Sequence, residues 1–271
     1  MIFTDLDRLS AMIPDGASLA LAPDYSGCAL AIVRRLIRRG IRGLHLIGVP
    51  QLGFQADLLV GAGAVASVEA AAVTLGEAGP APCFTRAIKE GRLEIKDSTC
   101  PVIHAGLQAA EKGIPFMPIR GVLGSDLIEH QPDWRVIDNP FGKDDPILTV
   151  PAIRPDVALF HAARGDPEGN VWIGVRRELM LMAHAARQTI ATVEDVADSS
   201  LLQNDETAAG TIPNLYVSAI GKAPMGAAPL GLRGCYGPKA DHLTAYAEAA
   251  ATEHGFRCYL EENVLKEAVP A

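Results

Sequence analysis

Three loops gather side chains that could do chemistry. Ala22-Pro23-Asp24-Tyr25-Ser26-Gly27 follows a short apolar run and precedes a helical pattern. Its backbone N–H groups would stand at the carboxyl end of a strand, where open α/β sheets place ligands, and could face an oxyanion or a carboxylate. The same residues also make an ordinary turn in which Ser26 caps the helix. Gly76-Glu77-Ala78-Gly79-Pro80 likewise follows an apolar run. A carboxylate on Glu77 could orient a substrate, accept a proton or attack an ester, and its plain reading is a solvated loop acid. In Arg164-Gly165-Asp166-Pro167-Glu168-Gly169-Asn170, Asp caps and Gly supplies positive φ, which favours a structural turn.

Other patterns point away from common chemistries. Gly61-Ala62-Gly63-Ala64-Val65-Ala66 fits the dinucleotide pattern G-x-G-x-x-A. It follows a helical stretch rather than a strand, however, and lacks the later acid that would bind a ribose, so it reads as a helix end and turn. The seven histidines, at 45, 104, 130, 161, 184, 242 and 254, show no metal-ligand spacing. No G-x-S-x-G elbow or phosphate-binding P-loop is present, which removes the standard serine hydrolases and P-loop NTPases. Arg34, Arg35, Arg38 and Arg39 form a basic helix face, either solvated or in contact with an anionic cofactor.

The elements that must position these loops alternate along the chain. Ser18 to Ala22 reads as a buried strand, Ala29 to Ile37 as an amphipathic helix and Gly43 to Gly48 as a second strand, which is a βαβ unit. Further helices are expected over 55–62, 82–91, 101–112, 178–186 and 241–255, and strands over 67–74, 92–95, 155–162, 189–193 and 216–220. The result is an α/β fold: an open, mostly parallel sheet with helices on both faces. The chain reads as a single domain over 1–271, with a turn-rich inserted region at about 120–146 that is long for a loop and therefore of functional interest.

Composition bounds the rest. The 271 residues amount to roughly 1.8 domains at about 150 residues each, and 49% hydrophobic with 21% charged residues is a globular balance. A net charge of −8 argues against a broad nucleic-acid surface. Cysteines 28, 83, 100, 235 and 258 are odd in number and form no C-x-x-C pair, consistent with a reducing cytoplasm and no zinc site. Neither a signal peptide nor a run of ~18 apolar residues is present, so the expectation is a cytoplasmic chain without a membrane span.

Taken together in order, the segments resemble the α subunit of family I coenzyme A transferases, the glutaconate and 3-oxoacid group, over most of the length. Matching segments are Asp15-Gly16 with Leu19-Ala20-Leu21, the Gly76-Glu77-Ala78 turn, and Gly91-Arg92-Leu93-Glu94-Ile95. They continue through Gly106 to Ala110 with Gly113-Ile114-Pro115-Phe116-Met117-Pro118, the stretch Arg154 to Asn170, and Ile212-Pro213 with Ala223 to Pro229. The chain departs where many α subunits carry G-G-F-x-x-x-G, having Ala22 to Gly27 instead, and Ala228 replaces a usual His.

The resemblance implies the three-layer fold of these transferases and coenzyme A as co-substrate, with no metal. The family's nucleophile is a glutamate in an E-N-G type motif of the β subunit, and this sequence has no E-N-G. A β subunit of similar size is therefore the implied partner, in an α2β2 or larger complex, and carries the glutamyl-CoA intermediate. The implied substrate-binding or oxyanion residues are Tyr25, Ser26, Gly27, Glu77, Cys100, Arg120, Ser125, Asp166, Asn170, Met225 and Gly226, with the Arg120 to Asp126 loop lining the acyl pocket. A related subgroup hydrolyses cyclic acyl-CoA compounds with a glutamate of its α subunit. That position falls on Cys100 here, with Glu94 the nearest upstream acid. A sugar-phosphate isomerase or deaminase of similar fold, and a non-catalytic binding subunit, are the other readings.

Overall fold

The computed structural model describes residues 2–266. Along the chain run strands β1 (Ile2–Phe3), β2 (Ser18–Leu21), β3 (Leu44–Gly48), β4 (Val65–Ala70), β5 (Glu94–Asp97), β6 (Phe116–Ile119), β7 (Arg135–Asp138), β8 (Pro146–Pro151), β9 (Val157–Gly165), β10 (Val171–Trp172), β11 (Gln188–Val196), β12 (Thr211–Ile212) and β13 (Ala219–Lys222). The main sheet has the order β1-β13-β11-β9-β2-β3-β4-β5, parallel throughout, with β10 antiparallel to β9 and to β12.

Period-two alternation explains why both faces are covered. Leu19, Leu21, Leu159 and Ile190 enter one core with the helices Leu30–Arg38 and Phe54–Gly61. Their neighbours Ala20, Ala22, Phe160 and Ala191 enter a second core with the helices Cys100–Glu111 and Arg177–Ala185. From β2 the chain builds outward through β3, β4 and β5, whereas β9, β11 and β13 build the other half. The order therefore reverses between β2 and β9, where a doubly wound sheet opens a crevice beyond its strand ends.

Two helix starts that lack a local side-chain cap are held by distant carboxylates, Asp57 and Asp24. The buried Asp57 accepts hydrogen bonds from Phe84 N (2.7 Å), Cys83 N (3.3 Å) and Tyr246 Oη (2.6 Å). It caps the helix Pro82–Lys89, whose own N-cap, Ala81, makes no side-chain bond.

The region expected to be turn-rich is more ordered than its composition suggests. β6, β8 and β7 form an antiparallel sheet over a small core of Val102, Val122, Trp134, Leu148 and Val150. Short apolar runs there are stabilised by pairing with each other, a signal that local turn residues hide. The C-terminal helix is two helices, Ala240–Ala250 and Glu253–Leu260, because Thr252 Oγ1 accepts from Gly255 N (3.0 Å) and starts a new one. The expected strand at 216–220 is shifted to β13, after a 3₁₀ turn at Asn214–Tyr216. Around Gly61 to Ala66 the helix Phe54–Gly61 ends, Gly63 takes φ +69° and β4 begins. No described helix is long and apolar enough to cross a membrane.

Candidate functional site

The crevice at the reversal is built from the turn after β2 and the exposed half of β9. β9 outruns β2, so His161 lies beside the turn and donates its backbone N–H to Gly27 O (2.7 Å). Gly27 has φ +85° and presses flat on the His161 carbonyl, a closeness only glycine allows. Ser26 N–H is spent on Pro23 O (2.8 Å), and the buried Ser26 hydroxyl donates to the carboxylate of Glu178 in the first turn of the helix Arg177–Ala185. Gly27 N–H has no hydrogen-bond partner among the described residues. Of the two amides expected to meet an oxyanion, it is the one still available.

Two cavities meet here. The smaller, about 180 Å³, is lined by Ser26, Gly27, His161, Trp172, Ile173 and Leu179, among others. The larger, about 750 Å³, is lined by Asp24, Gln51, Glu77, Gly231, Tyr236 and further residues. Tyr25, Arg176, Leu232 and Arg233 line both. The Arg176 guanidinium lies 5.2 Å from the Tyr25 ring centroid, and its buried Nε has no hydrogen-bond partner among the described residues. Burial, together with the Glu178 carboxylate, pushes the Tyr25 phenol up, and the Cys100 thiol is close enough to add to the effect.

Below the turn, Asp24 accepts from Phe54 N with both oxygens (2.9 and 3.1 Å) and so caps the helix Phe54–Gly61. Burial raises its carboxyl to about 6, against the opposing pull of the Phe54 amide. The folded state thus holds a proton that the unfolded chain has released. The associated stability is present below 3.8 and is lost as pH rises to about 6, by up to about 3 kcal/mol. Asp24→Asn removes that titration while keeping an acceptor. The variant is expected to gain on the wild type between about pH 4 and pH 7.5 in thermal melts, and a constant difference between the two proteins at both pH values would refute this.

The remaining expected site residues are scattered. Glu77 is exposed on the rim of the larger cavity. Cys100 is exposed at the start of its helix, outside the lining of both cavities. Arg120 forms a two-pronged ion pair with Asp145 and lines a separate surface cavity beside the small sheet. Ser125 caps a 3₁₀ turn, accepting from Leu127 N. Asp166 and Asn170 are buried: Asp166 accepts from the Gly169, Asn170 and Leu201 amides and from Asn170 Nδ2, and Asn170 Oδ1 accepts from Asn214 N. These bonds tie three loops together under the crevice. Met225 and Gly226 line a third cavity, beside Arg34, Arg35 and Arg38. Arg176, Glu178 and Arg233 join the site without any local motif to mark them, and His161 joins from within the Arg154 to Asn170 match without having been singled out. Their chemistry shows only once distant segments meet, and Ser26 and Glu178 lie 152 positions apart.

A crevice at the reversal point of a doubly wound sheet, with the Gly27 amide facing it, is where such folds place ligands. The family model for coenzyme A transferase matches residues 4–223, and the chain belongs to that family. It is 30% identical over 251 residues to the A subunit of glutaconate CoA-transferase from Acidaminococcus fermentans, covering 86% of this chain and 78% of that one. The crystal structure of that organism's enzyme superposes with a TM-score of 0.90 at 26% identity, over 97% of this chain and 88% of that chain. A cholesterol ring-cleaving hydrolase IpdA subunit of Mycobacterium tuberculosis is 30% identical over 271 residues, covering 95% of this chain and 91% of that one. An uncharacterised Archaeoglobus fulgidus protein, 29% identical over 95% of this chain, is longer, and the chain spans 58% of its length.

Proposed function

We infer that this chain is the α subunit of a heteromeric acyl-CoA:carboxylate CoA-transferase. The observation that carries this reading is that the smaller cavity, with its free Gly27 amide, has no carboxylate among its lining residues. A nucleophile carried by a partner subunit, as the family's chemistry uses, fits that opening. In the reaction, the partner's glutamate attacks the thioester carbonyl, giving a mixed anhydride and CoA thiolate. The thiolate attacks the glutamyl carbonyl, which releases the first acid and leaves a glutamyl-CoA thioester. The acceptor acid attacks that thioester to re-form an anhydride, and the thiolate then takes the new acyl group and frees the glutamate.

In this scheme the chain supplies one wall. Gly27 N–H meets the developing oxyanion, the smaller cavity takes the acyl group, and the larger one, with Glu77 on its rim, admits the CoA arm. Arg176 and Arg233 draw the anionic reactants to the junction. Co-expression with the partner, followed by exchange of labelled CoA between an acyl-CoA and a panel of free acids, tests this. Transfer is expected only with both subunits, with a borohydride-sensitive thioester on the partner. Full activity of this chain alone, or CoA release without an acceptor acid, would overturn it.

A further inference from the structure

Behind the smaller cavity, one carboxylate collects four donors. Glu194, on β11, accepts from His161 Nε2 (2.6 Å), Tyr236 Oη (2.6 Å), Met225 N (2.8 Å) and Gly226 N (3.2 Å). The donors come from three walls. His161 is fully buried and lines the smaller cavity, Tyr236 lines the larger, and Met225 and Gly226 form the turn beside Arg34.

Two features show that this carboxylate holds its surroundings in place. Met225 has φ +56°, a left-handed conformation that a side-chain-bearing residue keeps only where neighbours enforce it; the bond from its amide to Glu194 is such an enforcement. Gly226 packs so closely on the His161 ring that a Cβ would lie 2.6 Å from Cε1, so any shift of the turn is passed to the ring. The ring has no freedom to absorb it, since Nδ1 is bonded to Thr192 Oγ1 (2.8 Å) and Nε2 to Glu194.

We propose that Glu194 is a positioning residue for the transfer reaction: through His161 and the 225–226 turn it sets the floor of the acyl cavity against the Ser26-Gly27 turn. This deepens the transferase reading and rests on it for the kinetic part. Glu194 lines neither of the two cavities. It acts through the His161 ring, which the acyl group would meet.

Glu194→Gln keeps the shape but offers an NH₂ where the carboxylate accepts, so one of the four donors must face another donor. With the assembled enzyme, kcat/KM for acyl-CoA is expected to fall roughly 10- to 100-fold, the scale of a small misplacement at a reacting centre. The dissociation constant of free CoA, which has no acyl group, stays within about twofold. Gly226→Ala, which crowds the same ring while leaving the Glu194 side chain unaltered, is expected to show the same split, and Tyr236→Phe, which removes one donor and leaves no donor opposed, a smaller effect. Acrylamide quenching of Trp172 in the isolated chain reads the cavity wall without any assay of transfer. It is expected to change in the Gln variant and in the Gly226 variant, with Trp134, the chain's other tryptophan, as a constant background. Wild-type kcat/KM with unchanged quenching would overturn the proposal, as would equal losses of acyl-CoA and free CoA binding with a collapsed melt. Changed quenching where the wild-type pair shows no transfer would sink the transferase reading and leave standing only that Glu194 sets the floor of the cavity.

Discussion

Gly27→Ala is expected to cost the assembled enzyme more than about 100-fold in transfer rate, the largest effect on activity of any single methyl group in the chain. Two costs add at this position. With φ at +85°, an alanine would pay about 1–2 kcal/mol for a left-handed backbone. Its Cβ would also be driven onto the His161 carbonyl oxygen, part of the strand β9 held there by its pairing with β11. The turn would have to lift, carrying with it the one amide of the pair that remains unspent and breaking the bond from His161 N to Gly27 O. The strands themselves lose nothing, so circular dichroism should remain native while the exchange assay falls to background. Activity within about threefold of wild type would show that this turn does not face the reacting carbonyl.

The largest effect on stability is expected from Asp57→Ala. The substitution leaves Cys83 N, Phe84 N and Tyr246 Oη without an acceptor in the interior, and the Tyr246 ring is itself fully buried against Phe54 and Tyr259. Leaving three buried donors unsatisfied in this way costs about 3–5 kcal/mol, a fall in melting temperature on the order of 10 °C for a chain of this size. Burial pushes the Asp57 carboxyl up, against the hydrogen bonds from Tyr246, Phe84 and Cys83, and Asp57→Asn, which keeps one acceptor oxygen, should lose much less. Urea unfolding of the three proteins measures both differences. Equal midpoints for the Ala and Asn variants would mean that the acceptor is not what stabilises this helix start.

Much of the architecture is legible in the sequence because it is local. Leu19-Ala20-Leu21, with a helix pattern after it and a second strand after that, states a βαβ unit in one stretch, and that context alone places the Ala22 to Gly27 turn at a strand end. The Gly61 to Ala66 pattern can be set aside for the same reason, since the elements flanking it are in the wrong order. The two-helix C-terminus and the small sheet over 116–151 are harder to read. The first depends on one hydroxyl at Thr252, and the second on strands whose only support is each other.

Site residues divide along the same line. Tyr25, Ser26 and Gly27 are visible because a single turn brings them together. Asp166 and Asn170 can be picked out by type, but type does not say whether an oxygen faces a ligand or a neighbouring amide, and theirs face amides. The family resemblance marks Met225 and Gly226 as ligand contacts, yet their N–H groups bond Glu194, a residue with no motif around it. Periodicity and short motifs are written in neighbouring residues, and so the order of residues suffices for the class of the fold, the family and the turn around which a site forms. Which polar groups are already satisfied, and which are left free to meet a ligand, is settled by the packing of the sheet. Hydrogen bonds such as Ser26 to Glu178 or Tyr236 to Glu194 join residues that are far apart in the chain and come within reach of each other only in the folded molecule.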